Sequence, residues 1–87
     1  MRLTLLSRAY CHLCDEMLEA VTPLAAARGV AVAVVDVDAD PALESEYGDR
    51  VPVLFLGEPR DGVELCRYRF DGGRFEAALA KSEARRD

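Results

Sequence analysis

No apolar run in this 87-residue chain approaches the roughly 20 residues that a membrane-spanning helix needs, so no transmembrane segment is expected. Met1 to Leu6 is too short for the apolar core of an export signal and reads as a first strand, which leaves the cytoplasm as the default compartment. Basic residues are in deficit: 11 Lys and Arg stand against 16 Asp and Glu, a net charge of −5. Nucleic acid is disfavoured as a partner, because phosphate binding needs a basic face. Only three cysteines are present, an odd count that argues against a framework of structural disulfides and suits a reducing compartment. There is no internal repeat, linker or low-complexity stretch. Residues 1–82 are expected to form one domain, acting as a monomer, with a charged tail at 83–87. At 51% hydrophobic residues, that domain has enough apolar side chains for a core.

What the chain does have is Tyr10-Cys11-His12-Leu13-Cys14, set between an apolar run (Leu3 to Leu6) and a segment of helical periodicity. Two cysteines spaced this way at a strand-to-helix junction have the pattern of a redox-active dithiol. Residues three apart on a helix share a face, with Cβ atoms about 5–6 Å apart. The pair can therefore open and close as a disulfide with little backbone movement. If the helix begins near Cys11, its unpaired amides and positive dipole end favour a thiolate there. A thiolate attacks a disulfide sulfur to give a mixed disulfide. Cys11 is accordingly assigned as nucleophile and Cys14 as the resolving thiol. Arg8, three residues earlier, and His12, between the cysteines, are candidates for adding positive charge beside the thiolate.

The remaining segments read as scaffold. Arg2 to Leu6 is expected as a central strand buried on both faces. His12 to Arg28 is expected as a helix, with Leu13, Met17, Ala20, Leu24 and Ala27 as its buried stripe and Val21 flanking. Gly29 stops it, and Pro23 predicts a kink inside it. Val30 to Val37 reads as a second buried strand, parallel to the first. Asp40 before Pro41 predicts a helix N-cap, and a short helix spans Pro41 to Tyr47. Asp36, Asp38 and Asp40 lack the glycine and distal glutamate of a calcium loop. Pro52 must open the third strand, which runs to Leu56, and it pushes Val51 to an extended conformation. Val63 to Phe70 alternates as a half-exposed fourth strand, antiparallel to the third. Cys66 lies within it, with its facing undecided. Arg74 to about Ser82 is the last helix, buried through Phe75, Ala78 and Leu79.

This order of elements, with Cys11-His12-Leu13-Cys14 at the first helix start and Val51-Pro52 opening the third strand, resembles the glutaredoxins. The resemblance covers nearly the whole chain. It implies an α/β thioredoxin-like fold of glutaredoxin type, a four-stranded mixed sheet flanked by helices in the order βαβαββα. It also implies a dithiol oxidoreductase with no tightly bound cofactor and with glutathione as candidate co-substrate. By that resemblance Pro52 is cis and packs against the dithiol, and Val51 offers its backbone to a bound cysteine-containing peptide. Arg8 matches a basic residue that contacts glutathione, Gly72-Gly73 match a pair that approaches the glutathione backbone, and Leu13 stands where the family has a contacting tyrosine. Two other readings stand beside it. One is metal or iron–sulfur binding through Cys11 and Cys14, with Cys66 and His12 as further donors and no second Cys-x-x-Cys to help. The other is a non-catalytic protein-binding module.

Overall fold

Leu3 to Leu6 are all buried, and that requires an interior strand. In the computed structural model, which describes residues 1–84, β1 (Arg2–Ser7) does lie inside a four-stranded sheet. Its neighbours are β2 (Ala31–Asp36) and β3 (Val53–Leu56), and β4 (Val63–Arg67) completes the order β2-β1-β3-β4. β2 runs parallel to β1, while β3 and β4 form antiparallel pairs. The helices are α1 (His12–Ala27), α2 (Pro41–Tyr47) and α3 (Gly72–Ala84), with a single 3₁₀ turn at Val37–Ala39. This is the expected mixed βαβαββα arrangement.

The sheet separates two apolar layers. On one face Leu3, Leu5, Leu54 and Leu65 pack with Met17 and Val21 of α1 and with Phe75 and Leu79 of α3. On the other, Leu6, Val53 and Phe55 pack with Val37 and with Leu43 and Tyr47 of α2. Side chains this size each contribute about 1.5–3 kcal/mol when fully buried. Tyr47 meets Phe55 edge-on at 5.6 Å. Asp40 caps α2 as its sequence predicts, its carboxylate accepting from the Ala42 and Leu43 amides at 3.0 and 3.4 Å.

Several expectations are corrected. β2 is an edge strand, only partly covered, with Val34 51% exposed. Its valines mark β propensity, but the topology that leaves it without an outer neighbour lies elsewhere in the chain. α1 runs unbroken through Pro23 and ends at Ala27, with Gly29 past its end at φ +67°. Its buried stripe is Cys14, Met17, Val21 and Ala25, while Leu13 and Leu24 face outward. The stripe is rotated because the sheet surface, not the count of apolar residues, decides which face docks. β4 is shorter than expected. A bulge between Leu54 and Phe55 pairs them with Cys66 and Glu64, leaving Leu65 unpaired. Leu65 and Cys66 therefore both enter the α1–α3 layer. α3 starts two residues earlier than expected, at Gly72, and continues to Ala84. Of the expected tail, residues 85–87 lie outside the described residues.

Candidate active site

Cys11 sits where β1 has ended and α1 begins. Tyr10, just before it, turns the chain with a left-handed φ of 60° and stands fully exposed. Cys11 itself is extended (φ −97°, ψ 106°) and is the N-cap of α1. Its sulfur accepts the Cys14 amide at 3.2 Å, and its carbonyl accepts the Asp15 amide at 3.2 Å. A cysteine sulfur thus takes the place that a Ser or Asp oxygen fills at an ordinary N-cap. Cys11 and Cys14 are joined as a disulfide, with Cα atoms 5.2 Å apart. Cys11 is half-buried, whereas Cys14 is 1% exposed. The two sulfurs therefore differ in access: an incoming group meets Cys11.

Three further segments end at the same edge of the sheet. The register Leu6↔Val53 puts Pro52 at the end of β1 from which the chain turns to Cys11. Pro52 is buried, and the Val51–Pro52 peptide is cis. Its carbonyl accepts the Tyr68 amide at 2.9 Å, tying the strand opening to the loop after β4. Tyr68 has φ +67°, which ends the strand and half-exposes its ring. Gly72 and Gly73 follow as the first residues of α3, where the Asp71 carboxylate accepts the Arg74 amide at 3.0 Å. Neither glycine has a positive φ, and a Cβ on either would meet only ordinary contacts at 3.6 and 3.5 Å. The fold itself does not require glycine at these positions.

A groove of about 420 Å³ opens between Leu13, Glu16 and Met17 of α1 and the loop residues Tyr68, Arg69 and Phe70. Sequence reading missed this loop wall, because the alternation through Tyr68 and Phe70 looked like continuing strand. The left-handed turn at Tyr68 has no glycine to announce it.

Arg8 is placed differently from its expected role. Its guanidinium donates to the Asp38 carboxylate at 3.0 and 2.9 Å, to the Gly48 carbonyl at 2.9 Å and to Glu44 at 3.3 Å. These bonds fasten the end of β1 to the 3₁₀ turn and to α2. The Arg8 hydrogen bond holds the Asp38 carboxyl below its ordinary range. His12 points outward, 92% exposed, with Nε2 3.4 Å from Glu16. Cys66 is buried in the core layer, where burial pushes its thiol pKa up and the Asp71 backbone only partly opposes it. The four donors of the metal reading are therefore not gathered: two are bonded to each other, one is in the core and one faces solvent. Among the described residues no three His, Cys, Asp or Glu side chains cluster as a metal site would require. Among them, too, no helix is long and apolar enough to cross a membrane.

A parallel β1–β2 pair, an antiparallel β3–β4 hairpin and a disulfide at the first helix N-cap define a thioredoxin-type fold carrying a vicinal cysteine pair. The chain belongs to the glutaredoxin-like domain family DUF836, which it matches over residues 2–80. It is 35% identical over 83 residues to an uncharacterized protein of Mycobacterium tuberculosis, covering 90% of this chain and 81% of that one. Among solved structures, the solution structure of protein Ne2328 from Nitrosomonas europaea superposes with a TM-score of 0.76 at 34% identity, covering 88% of each chain. Protein XcR50 from X. campestris has a TM-score of 0.63 at 48% identity, covering 91% of this chain and 96% of its own. Thioredoxin 1 from Thermosipho africanus matches in fold, with a TM-score of 0.65 at 20% identity over 95% of this chain and 99% of its own.

Proposed function

We propose that the protein is a cytoplasmic, monomeric thiol–disulfide oxidoreductase that reduces protein or glutathione mixed disulfides through Cys11 and Cys14. The observation that carries this reading is the Cys11 sulfur at the N-cap of α1, accepting the Cys14 amide. In the reduced protein the same amides and dipole face a thiolate. That thiolate attacks one sulfur of the substrate disulfide: a Cys11–substrate bond forms, the substrate S–S bond breaks, and the departing thiolate takes a proton. Cys14 then loses its proton and attacks the Cys11 sulfur. The Cys11–Cys14 bond forms, the second substrate thiolate leaves, and two electrons have passed to the substrate. An external dithiol, or two equivalents of a monothiol, returns the pair to the reduced form.

Glutathione is the candidate co-substrate, and no tightly bound cofactor is needed for these steps. In this reading Val51 offers its backbone to the substrate beside Pro52, and Leu13 covers one side of it. Gly72 and Gly73 leave the start of α3 bare for a close backbone approach, a use the fold itself does not impose, since a Cβ there would meet only ordinary contacts. A glutathione carboxylate at Arg8 competes with Asp38, Glu44 and the Gly48 carbonyl, which already hold that guanidinium. His12, paired with Glu16, acts on the thiolate only through its charge when protonated.

The test is turnover of a glutathionylated peptide by the reduced protein. Cys11→Ser should abolish exchange, and Cys14→Ser should accumulate a mixed disulfide visible by mass. Normal product release by Cys14→Ser would refute the assigned roles. Exchange that survives Cys11→Ser would refute the reading altogether.

A further inference from the structure

The charged groups around the groove beside the disulfide differ in what they already hold. On the helix wall, Glu16 is paired with His12. On the loop wall, Arg69 is exposed, and its guanidinium has no hydrogen-bond or ion-pair partner among the described residues. The arginines around it are committed. Arg67 makes two bonds to Glu64 at 2.8 and 2.9 Å, and Arg74 donates to the Glu64 carbonyl at 3.4 Å.

Position gives this loose cation a use. Arg69 follows Tyr68, whose amide is fastened to the Pro52 carbonyl, and it lines the groove with Leu13, which lies between the two cysteines. Leu13 lines the end of the groove nearest the disulfide in sequence, although neither cysteine is among the lining residues. The groove runs along α1 from Leu13 to Ala20, about 10 Å at 1.5 Å per residue. Leu13, Met17 and Phe70 give it an apolar floor. A chain segment leaving the reacting sulfur along this path would lay its neighbouring side chains between an arginine on one wall and a glutamate on the other.

We infer that Arg69 is a specificity-determining residue, receiving the carboxylate of an acidic side chain that flanks the cysteine of a peptide or protein disulfide. The inference rests on the oxidoreductase reading above. Charge complementarity fixes the occupant's sense: an acidic residue faces Arg69, and Glu16 keeps such a residue off the helix wall. The exposed side chains of Leu13 and Tyr68 line the same groove and suit a polypeptide partner.

The experiment uses the reduced, full-length protein and two disulfide-linked peptides that differ only in an Asp or a Lys near the cysteine. The readout is the ratio of their kcat/KM values. The unaltered protein should favour the Asp peptide by about fivefold, the scale of one exposed charge pair. Arg69→Glu should invert the ratio, and Arg69→Lys should keep its direction. A ratio near one in the unaltered protein overturns the inference while leaving the oxidoreductase reading intact. So does an equal loss on both peptides in Arg69→Glu, or an effect confined to glutathione disulfides, whose carboxylates belong to the small thiol. Absence of turnover with every peptide would remove both.

Discussion

The amide of Cys14 donates to the sulfur of Cys11 at 3.2 Å, across the first turn of α1. One bond thus joins the helix start to the half-buried sulfur of Cys11, and the same spacing brings the buried sulfur of Cys14 within disulfide reach. The capping sulfur, the buried sulfur one turn behind it and the dipole all follow from where the helix begins.

The rotated stripe of α1 has a direct consequence for stability. Met17 is 1% exposed in the α1–α3 layer, whereas Leu24 is 39% exposed. Met17→Ala should cost about 2–5 kcal/mol, and Leu24→Ala should stay within about 0.5 kcal/mol. Denaturant unfolding of the two variants checks this; equal losses would mean that the helix docks on the other face.

Cys66 should behave as a core residue. Its burial raises the thiol pKa, so little thiolate forms at neutral pH, and access is closed as well. The oxidised, folded protein should bind almost no thiol reagent, and unfolding it without reductant should release one reactive thiol. Fast labelling of the folded protein would show Cys66 to be accessible.

Acid stability follows from two surface pairs. Hydrogen bonds from Arg8 and Arg60 hold the Asp38 and Glu46 carboxyls below their ordinary values. A folded pKa below the unfolded one means stability that is present above the ordinary carboxylate range, about pH 4, and is lost as pH falls below it. The denaturation midpoint should therefore drop on acidification below that range. Arg8→Ala should lower the midpoint at neutral pH and flatten its acid decline. A parallel decline in the variant would mean that the Asp38 pair carries no linkage.

Local signals made much of the fold legible from the chain. The apolar run at Leu3–Leu6, the Asp40-Pro41 cap and Pro52 before Val53 each state a boundary in the residues themselves. So does Cys11, because a helix that starts beside it leaves its sulfur at the cap. What stayed hidden depends on distant partners. Nothing near Val34 says that β2 lies at an edge, and the bulge that turns both Leu65 and Cys66 inward is set against Leu54 and Phe55. Arg8 looks like a free charge three residues before Cys11 until Asp38 and Gly48 are folded against it. The groove wall at Arg69 depends on the left-handed turn at Tyr68, a conformation that a tyrosine does not advertise.

The most direct measurement is titration of the Cys11 thiolate by its ultraviolet absorbance, in a protein carrying Cys14→Ser and Cys66→Ala so that one thiol remains. Stabilisation by the start of α1 should bring its pKa at least a unit below the free value of about 8.5. A value at or above that figure would mean that the helix start does not activate the sulfur, and the nucleophilic role given to Cys11 would be wrong.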